Sequence, residues 1–480
     1  MTARRLDRFR LELPPEGRMK TRALVYLHER MAAEPEALDQ LRDAASVDPR
    51  ATVIGTPDIH TGFGVPIGSV VASPELVSPA AVGYDVNCGM RLLTTPFGTA
   101  EIDAARLAGA IREELPLGEG KESPLFALGE RQLVAVLEGG VPGLLGVARA
   151  DRDLAARLDP ERIEADVRRI EDRGVVEADA AAVSARALAR GRSQLGTLGG
   201  GNHFVEMQRV ERVERQDAAR ALGLAEGQIV VMIHSGSRGL GHQVADEHMR
   251  AALEAAPRLG LPVPNRQLAF VPADSAEGRA FLGAMGAAAN FAFANRQAIA
   301  AVVRRAFSRA VGRPVALPLV YDVSHNIARR ERPCGERLYV HRKGATRAFP
   351  ASRMRGTDLE ALGQPVLIPG SMGTASYVLL GTEGAAESLY SVNHGAGRVM
   401  SRTAAAGRRR GKGRGEGGRI SAARFEESMQ GVHLVCEDRW AAREEAPDAY
   451  KDVDLVVETV VGAGLAEIVA RLVPLAVLKG

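Results

Sequence analysis

Gly83-Tyr84-Asp85-Val86-Asn87-Cys88-Gly89-Met90-Arg91 sets a carboxylate and a thiol three residues apart, between two glycines. On an extended strand, Asp85 and Cys88 would point to opposite faces. Gly83 and Gly89 permit a tight loop instead, and a loop can bring both side chains onto one point. A thiolate and a carboxylate converging in this way are metal ligands of mixed softness. The same stretch also reads as a glycine-bounded turn, with the Asp capping it and the Cys buried.

Upstream, residues 19–46 carry helical periodicity, with Leu24, Leu27 and Met31 on one side and a second short helix at 36–45. A strand at 51–54 leads into Pro57-Asp58-Ile59-His60-Thr61-Gly62-Phe63-Gly64, and another at 68–72 precedes the loop. Downstream, 90–94 continues as a strand, and Asp103 caps a helix that stops near Pro116. Residues 116–192 read as predominantly helical, with the charged run 159–173 as a solvated helix. The glycine-rich loop 196–201 then feeds a strand that starts Asn202-His203-Phe204-Val205-Glu206. Residues 228–233 form a buried strand ending on His234, followed by Ser235-Gly236-Ser237-Arg238-Gly239 and a helix from about Gly241. A strand at 268–271 precedes the Ala-rich segment 275–310, which reads as two helices or one kinked near Gly286. Further strands fall at 319–322, 337–341, 365–368 and 432–436.

No repeat at a fixed period is visible. Strands and helices mix without regular alternation, which argues for an α+β fold. With no Pro/Gly/Ser linker between balanced halves, one large domain over residues 1–480 is expected.

The chain has 46% hydrophobic and 25% charged residues, the composition of a globular protein with ample core. Aromatics are only 4%, so that core must rest on Ala, Leu and Val. A net charge of +3 over 480 residues is close to neutral, so any nucleic-acid surface has to be a local patch. Three widely spaced cysteines, Cys88, Cys334 and Cys436, make no disulfide framework and suit a reducing cytosol. The first 17 residues are charged and lack the apolar core of a signal peptide. No uncharged apolar run approaches the ~18 residues of a membrane span. A cytoplasmic protein without membrane contact is expected.

Three histidines, His203, His234 and His325, fall at or just after strand ends beside Gly, Ser or Asn. One such histidine is more often hydrogen-bonded structure than ligand. Three in the same setting, where functional loops gather, change that balance. With Asp85 and Cys88 they make five candidate ligands, enough for two adjacent metals sharing the thiolate, an arrangement used in phosphoryl transfer. Asp58 and His60 share one strand face and are better placed to orient ligands than to bind directly.

Asn393-His394-Gly395-Ala396-Gly397-Arg398 leaves an imidazole flanked by small residues, with a guanidinium suited to phosphate. It reads either as a glycine turn with a solvent-facing histidine or as a nucleophile for a nucleotide α-phosphate. Residues 369–376, Pro-Gly-Ser-Met-Gly-Thr-Ala-Ser, supply backbone donors of the kind that hold phosphates. Gly462-Ala463-Gly464, after an apolar strand read at 455–461, mimics a dinucleotide motif but has Glu467 at its third glycine position. The Gly/Arg run 407–419, with six basic residues against one Glu, is a flexible loop fit for loose phosphate contact.

The segments 57–68, 82–93, 196–206, 234–244, 322–328, 341–350, 369–379, 393–398 and 476–480 together resemble the RtcB-type RNA-splicing ligases over nearly the whole chain. The resemblance implies mixed sheets surrounded by helices, with a deep metal- and nucleotide-binding cleft. It implies a ligase using GTP and two Mn2+ ions that joins RNA ending in a 2′,3′-cyclic phosphate or 3′-phosphate to 5′-hydroxyl RNA. Its metal ligands fall on Asp85, Cys88, His203, His234 and His325, and its guanylylated histidine falls on His394. Its nucleotide contacts fall on Asn202, Phe204, Glu206, Ser371, Ser376, Ala396, Gly397, Tyr450 and Lys479; Arg398, Asp58 and Arg238 join them as site candidates. RNA is the implied partner, with the activator archease in many members. Competing readings are a two-metal phosphoesterase using the same ligands without His394, and a non-catalytic RNA-binding protein.

Overall fold

Strands that read as unbroken apolar runs are covered on both faces, as doubly buried sheets require. In the computed structural model, which describes residues 3–408 and 416–480, two large sheets dominate. The first runs Leu319–Ser324, Gly89–Gly98, Gln228–Ser235, Phe204–Val213, Ala466–Lys479, Ser376–Gly381, Pro365–Ile368, with each neighbouring pair antiparallel. His433–Cys436 adds to it parallel to Ala466–Lys479. Val231 and Ile233 pack into one core and Val230 and Met232 into another, the alternation of a sheet with two covered faces. The second sheet runs Arg4–Arg5, Arg10–Leu13, Ala23–Tyr26, Thr52–His60, Ile67–Ser73, Leu338–Lys343, Asn326–Glu331. Its only parallel pair joins Ala23–Tyr26 to Thr52–His60 among the described residues. With the helices packed around both sheets, the α+β expectation holds.

Register is what positions the site. Antiparallel pairing sets Gly89 against both Ser324 and Ser235, and Phe204 against both His234 and Lys479. The starts of two strands and the ends of three therefore meet at one edge of the first sheet. The chain leaves that sheet at Ser324, passes His325, and enters the second sheet at Asn326. His325 thus sits at the seam. A two-stranded ribbon, Ala345–Arg347 with Ser391–Asn393, delivers His394 to the same place.

Several local expectations change. The periodicity at 19–46 belongs to the strand Ala23–Tyr26 and the helix Pro35–Ala44; all four residues of that strand are buried, so its apolar run matched a helix by spacing alone. The 455–461 segment is helix Val453–Gly462, capped by Asp452, and a strand follows it. The run 159–173 is not simply solvated: Asp166 accepts two bonds from Arg304 at 2.6 and 2.9 Å, and buried Glu171 pairs with Arg347. Ala276–Val311 is one 36-residue helix. Gly286 serves close approach there, since a Cβ on it would lie 2.0 Å from the Glu177 carbonyl. Of the basic run, residues 409–415 lie outside the described residues.

Helix Glu130–Ala150 is long and apolar enough to cross a membrane, with a mean hydropathy of 1.5. It carries Glu138, breaks at Gly140 (φ 56°), contains Pro142, and packs against the long helix Ala276–Val311. Those features are those of a core helix.

Candidate functional site

The loop from Gly83 to Gly89 turns by means of two left-handed residues, Gly83 at φ 94° and Asn87 at φ 54°. Asn is among the few side chains that visit this region readily. Asn87 is further held by its Nδ2 donating to the Ala289 carbonyl at 2.7 Å. Gly89 answers a different need, because a Cβ there would lie 2.5 Å from the Val323 carbonyl of the next strand. The turn brings Asp85 and Cys88 together, as expected.

Around them two ligand trios form, Asp85–Cys88–His203 and Cys88–His234–His325, and Cys88 belongs to both. Its Sγ lies 3.3 Å from His203 Nε2 and 3.2 Å from His234 Nε2. His203 Nε2 is 2.7 Å from Asp85 Oδ2, and the Nε2 atoms of His234 and His325 are 3.2 Å apart. His203 Nδ1 donates to the Leu198 carbonyl at 2.9 Å and His234 Nδ1 to the Asn202 carbonyl at 3.1 Å. Those bonds turn each Nε2 lone pair inward, the tautomer a metal ligand needs.

Burial, reinforced by neighbouring histidines, pushes His234 and His325 far below the usual imidazole range; burial also lowers His203 against the pull of Asp85. All three are therefore neutral donors. Burial and then the Asp85 charge push the Cys88 thiol well up. Burial would raise Asp85 too, but His203, His242 and Arg238 hold its carboxyl far below the ordinary range. The lone pairs of Asp85, His203, His234 and His325, this close together, repel one another unless a cation sits between them, and a cation there would also draw the proton off Cys88. The donor set of one thiolate, three imidazoles and one carboxylate fits divalent transition metals.

The clamp behind the cluster was not visible in the sequence. Arg296, fully buried in the Ala-rich helix, donates to the Asn87 carbonyl at 2.7 Å and the Ser235 carbonyl at 3.1 Å. It also donates to Asp322 at 2.8 Å, and Arg91 shares that carboxylate at 2.7 Å. One guanidinium thus ties the chain beside Cys88, beside His234 and just before His325. Asn295 next to it holds the glycine-rich loop, accepting from Gly196 N at 2.7 Å and donating to the Thr197 carbonyl at 3.2 Å. Arg296→Met should lower stability by about 3–5 kcal/mol by leaving a buried carboxylate undercompensated. The measurement is the urea midpoint at unchanged m-value. A loss under ~1 kcal/mol would mean that Arg91 alone suffices for Asp322.

His394 lies against this cluster, with its ring centroid 4.8 Å from that of His325. Its Nδ1 donates to Asp58 Oδ2 at 2.6 Å, and its backbone N–H reaches the same oxygen at 3.2 Å. Asp58 is fully buried and takes Thr56 Oγ1 on its other oxygen at 2.6 Å. Burial would raise Asp58, but His394 and these hydrogen bonds keep it below the usual carboxylate range. Asp58 therefore orients His394 instead of the metal-ligand trios. His60 donates from Nδ1 to the Asp58 carbonyl at 2.8 Å.

All five candidate ligands and His394 line one cavity of about 1030 Å³. Asn202, Phe204, Ser371, Ala396, Gly397, Arg398, Tyr450, Lys479 and Arg238 line it too. Glu206 and Ser376 are buried behind that wall, joined by Gln208 Nε2 at 2.6 and 2.9 Å. Burial raises Glu206 to about 8 and lowers Lys479 to about 8. Arg398 is held by Glu445 at 3.0 Å, and Tyr450 donates to the same carboxylate. Glu445 and Lys343 are further residues that sequence reading missed. Lys343 lines the cavity, donates to the carbonyls of Phe63, Val65 and Ala80 at 2.5, 3.2 and 3.1 Å, and is lowered to about 7 by burial.

Known proteins resemble this chain over nearly its whole length. A family model described as tRNA-splicing ligase RtcB matches residues 40–480. The chain is 44% identical to an RNA-splicing ligase RtcB of Mycobacterium tuberculosis, over 88% of this chain and 96% of that one. It is 41% identical to a tRNA-splicing ligase RtcB of Thermococcus kodakarensis, over 99% and 98% of the two chains. Against the tRNA-splicing ligase RtcB of Aeropyrum pernix it is 39% identical over the whole of both. With a match of this extent, and the ligand trios and His394 gathered in one cavity, the chain belongs to the RtcB family of tRNA-splicing ligases.

Proposed function

We propose that this chain is one ligase domain that joins 2′,3′-cyclic-phosphate or 3′-phosphate RNA ends to 5′-hydroxyl RNA ends, using GTP and Mn2+. The observation that carries the reading is His394, oriented by Asp58 and set beside two ligand trios that share one cysteine. Asp85, Cys88, His203, His234 and His325 would hold two Mn2+ ions, which neutralise phosphate charge and favour the attacking oxygen.

With Nδ1 donating to Asp58, the Nε2 lone pair of His394 is free to attack the α-phosphorus of GTP. A P–N bond forms, the α–β P–O bond breaks, and pyrophosphate leaves. A cyclic end is opened by water to a 3′-phosphate. That phosphate attacks His–GMP, giving RNA-3′-pp-guanosine and restoring the imidazole. The 5′-hydroxyl then attacks the RNA-side phosphorus and GMP leaves. Asn202, Ser371, Ala396, Gly397 and Arg398 would position the nucleotide phosphates and ribose, Phe204 or Tyr450 would stack on the base, and Lys479 would close over it. The Gly/Arg run 407–419 would add phosphate contacts to RNA.

Incubation with α-labelled GTP tests the reading. Covalent label that is labile in acid and stable in base is expected. An unlabelled protein that still hydrolyses RNA-end phosphates would be the two-metal phosphoesterase.

Guanine recognition carries a pH dependence. A carboxylate at Glu206 can accept both Watson–Crick N–H groups of guanine. In the free protein Glu206 titrates at about 8, so below that pH it is protonated and must lose a proton to bind. GTP affinity should therefore rise with pH from 6 to 8, by up to about tenfold per unit, and level off above. Calorimetry across this range checks it. Glu206→Gln should flatten the profile and lose the preference for GTP over ATP; a wild-type profile flat from pH 6 to 8 would remove Glu206 from base recognition.

A further inference from the structure

We propose that Phe63, Tyr84 and His242 form a stacking platform for a nucleobase of one of the RNA ends being joined, an inference that rests on the ligase reading above. The three come from separate segments: the loop after Thr52–His60, the loop at Gly83–Arg91, and the second turn of helix Arg238–Arg258. Their rings make a ladder. Phe63 and Tyr84 meet edge to face at 5.3 Å and 64°, and Tyr84 and His242 stack at 6.0 Å and 26°.

All three rings line the cavity that holds the ligand trios and His394. Phe63 and Tyr84 are half-buried and His242 is exposed, whereas core rings such as Phe270 and Phe291 are closed over completely. The other two Phe or Tyr rings on this wall stand beside cations and are assigned above to the nucleotide: Lys479 lies 5.8 Å from the Phe204 centroid, and Arg398 lies 5.1 Å from that of Tyr450. The Tyr84 hydroxyl has no hydrogen-bond partner among the described residues.

A base on the ladder would sit one residue from Asp85, so its own phosphate could reach the ligand cluster. Arg186 and Arg190, four apart on one short helix, line the same cavity and suit the backbone that follows. Stacking on π faces tolerates any base, which suits an enzyme that joins ends of different sequence. In a chain with 4% aromatics, these three adjoining rings are the ones in the cavity left for an RNA base once Phe204 and Tyr450 serve the nucleotide.

The probe is RNA with 2-aminopurine as the terminal base, on the 3′-phosphate strand in one arm and the 5′-hydroxyl strand in the other. Mn2+-loaded full-length protein should quench the fluorescence of one arm, and that arm names the strand. Tyr84→Leu and Phe63→Leu should lose the quench and bind that strand roughly tenfold more weakly. Tyr84→Phe should keep both. His242→Ala, which alters an exposed side chain, should give a smaller loss in the same direction and serves if the inner variants fold poorly. GTP labelling of the wild type, which needs no RNA, separates the two readings. A labelled wild type whose quench and RNA affinity are unmoved by all three truncations would overturn the platform alone. An unlabelled wild type would overturn the ligase reading and the platform with it.

Discussion

Cys88→Ser is expected to release bound metal and stop ligation together. Cys88 is the one residue common to both ligand trios, within 3.3 Å of His203 and His234. A thiolate can bridge two divalent ions, but a serine hydroxyl stays protonated there and is a poor soft ligand. Losing an outer partner of a metal ligand costs roughly 10–100-fold in affinity, and losing the shared ligand should cost more. The fold should survive, since Ser is slightly smaller than Cys and Arg296 clamps the same loop independently. Metal content by mass spectrometry, ligation rate and melting temperature read the three effects separately. Near-normal metal with full activity would refute the bridge.

The three histidines were legible because each sits at or beside a strand end next to small residues, and Asp85 and Cys88 because two glycines bound their loop. The antiparallel register then explains why the four strand ends that carry them, at Gly89, Phe204, Ser235 and Ser324, meet. Relations between distant elements left no local trace. Asp58 lies 336 residues from His394, and nothing beside either one predicts the 2.6 Å bond between them. Arg296 hides in an Ala-rich helix where a basic residue looks like surface decoration, yet its side chain is fully buried. Apolar runs misled in both directions. Ala23–Tyr26 has helical spacing but lies within a sheet, and Val453–Gly462 has the Val content of a strand but is a helix started by the Asp452 cap. Spacing gave way to burial in the first case, and propensity to capping in the second.

His394→Ala should abolish covalent GMP and the joining of either kind of 3′ end, a loss on the order of 10³-fold or more, while leaving metal content intact. The two parts of the site are physically separate in their demands. The ligand trios are complete without His394, whereas attack on the α-phosphorus needs an imidazole lone pair aimed by a partner. Asp58 supplies that aim from a fully buried position, so Asp58→Asn is the companion variant. It keeps the shape but offers an amide in place of a carboxylate, which can no longer favour one tautomer or stabilise the imidazolium. Guanylylation should slow by roughly 10–100-fold there, with the label still mapping to His394. A merely structural Asp58 would lower the melting temperature without slowing labelling in the folded fraction. If His394→Ala still took up label from GTP, or if peptide mapping placed GMP on Lys479 or Lys343, the assigned nucleophile would be wrong. Stability of the linkage distinguishes the chemistry as well. A phosphoramidate on imidazole hydrolyses in acid and survives base, while an acyl phosphate on a carboxylate would be lost in base.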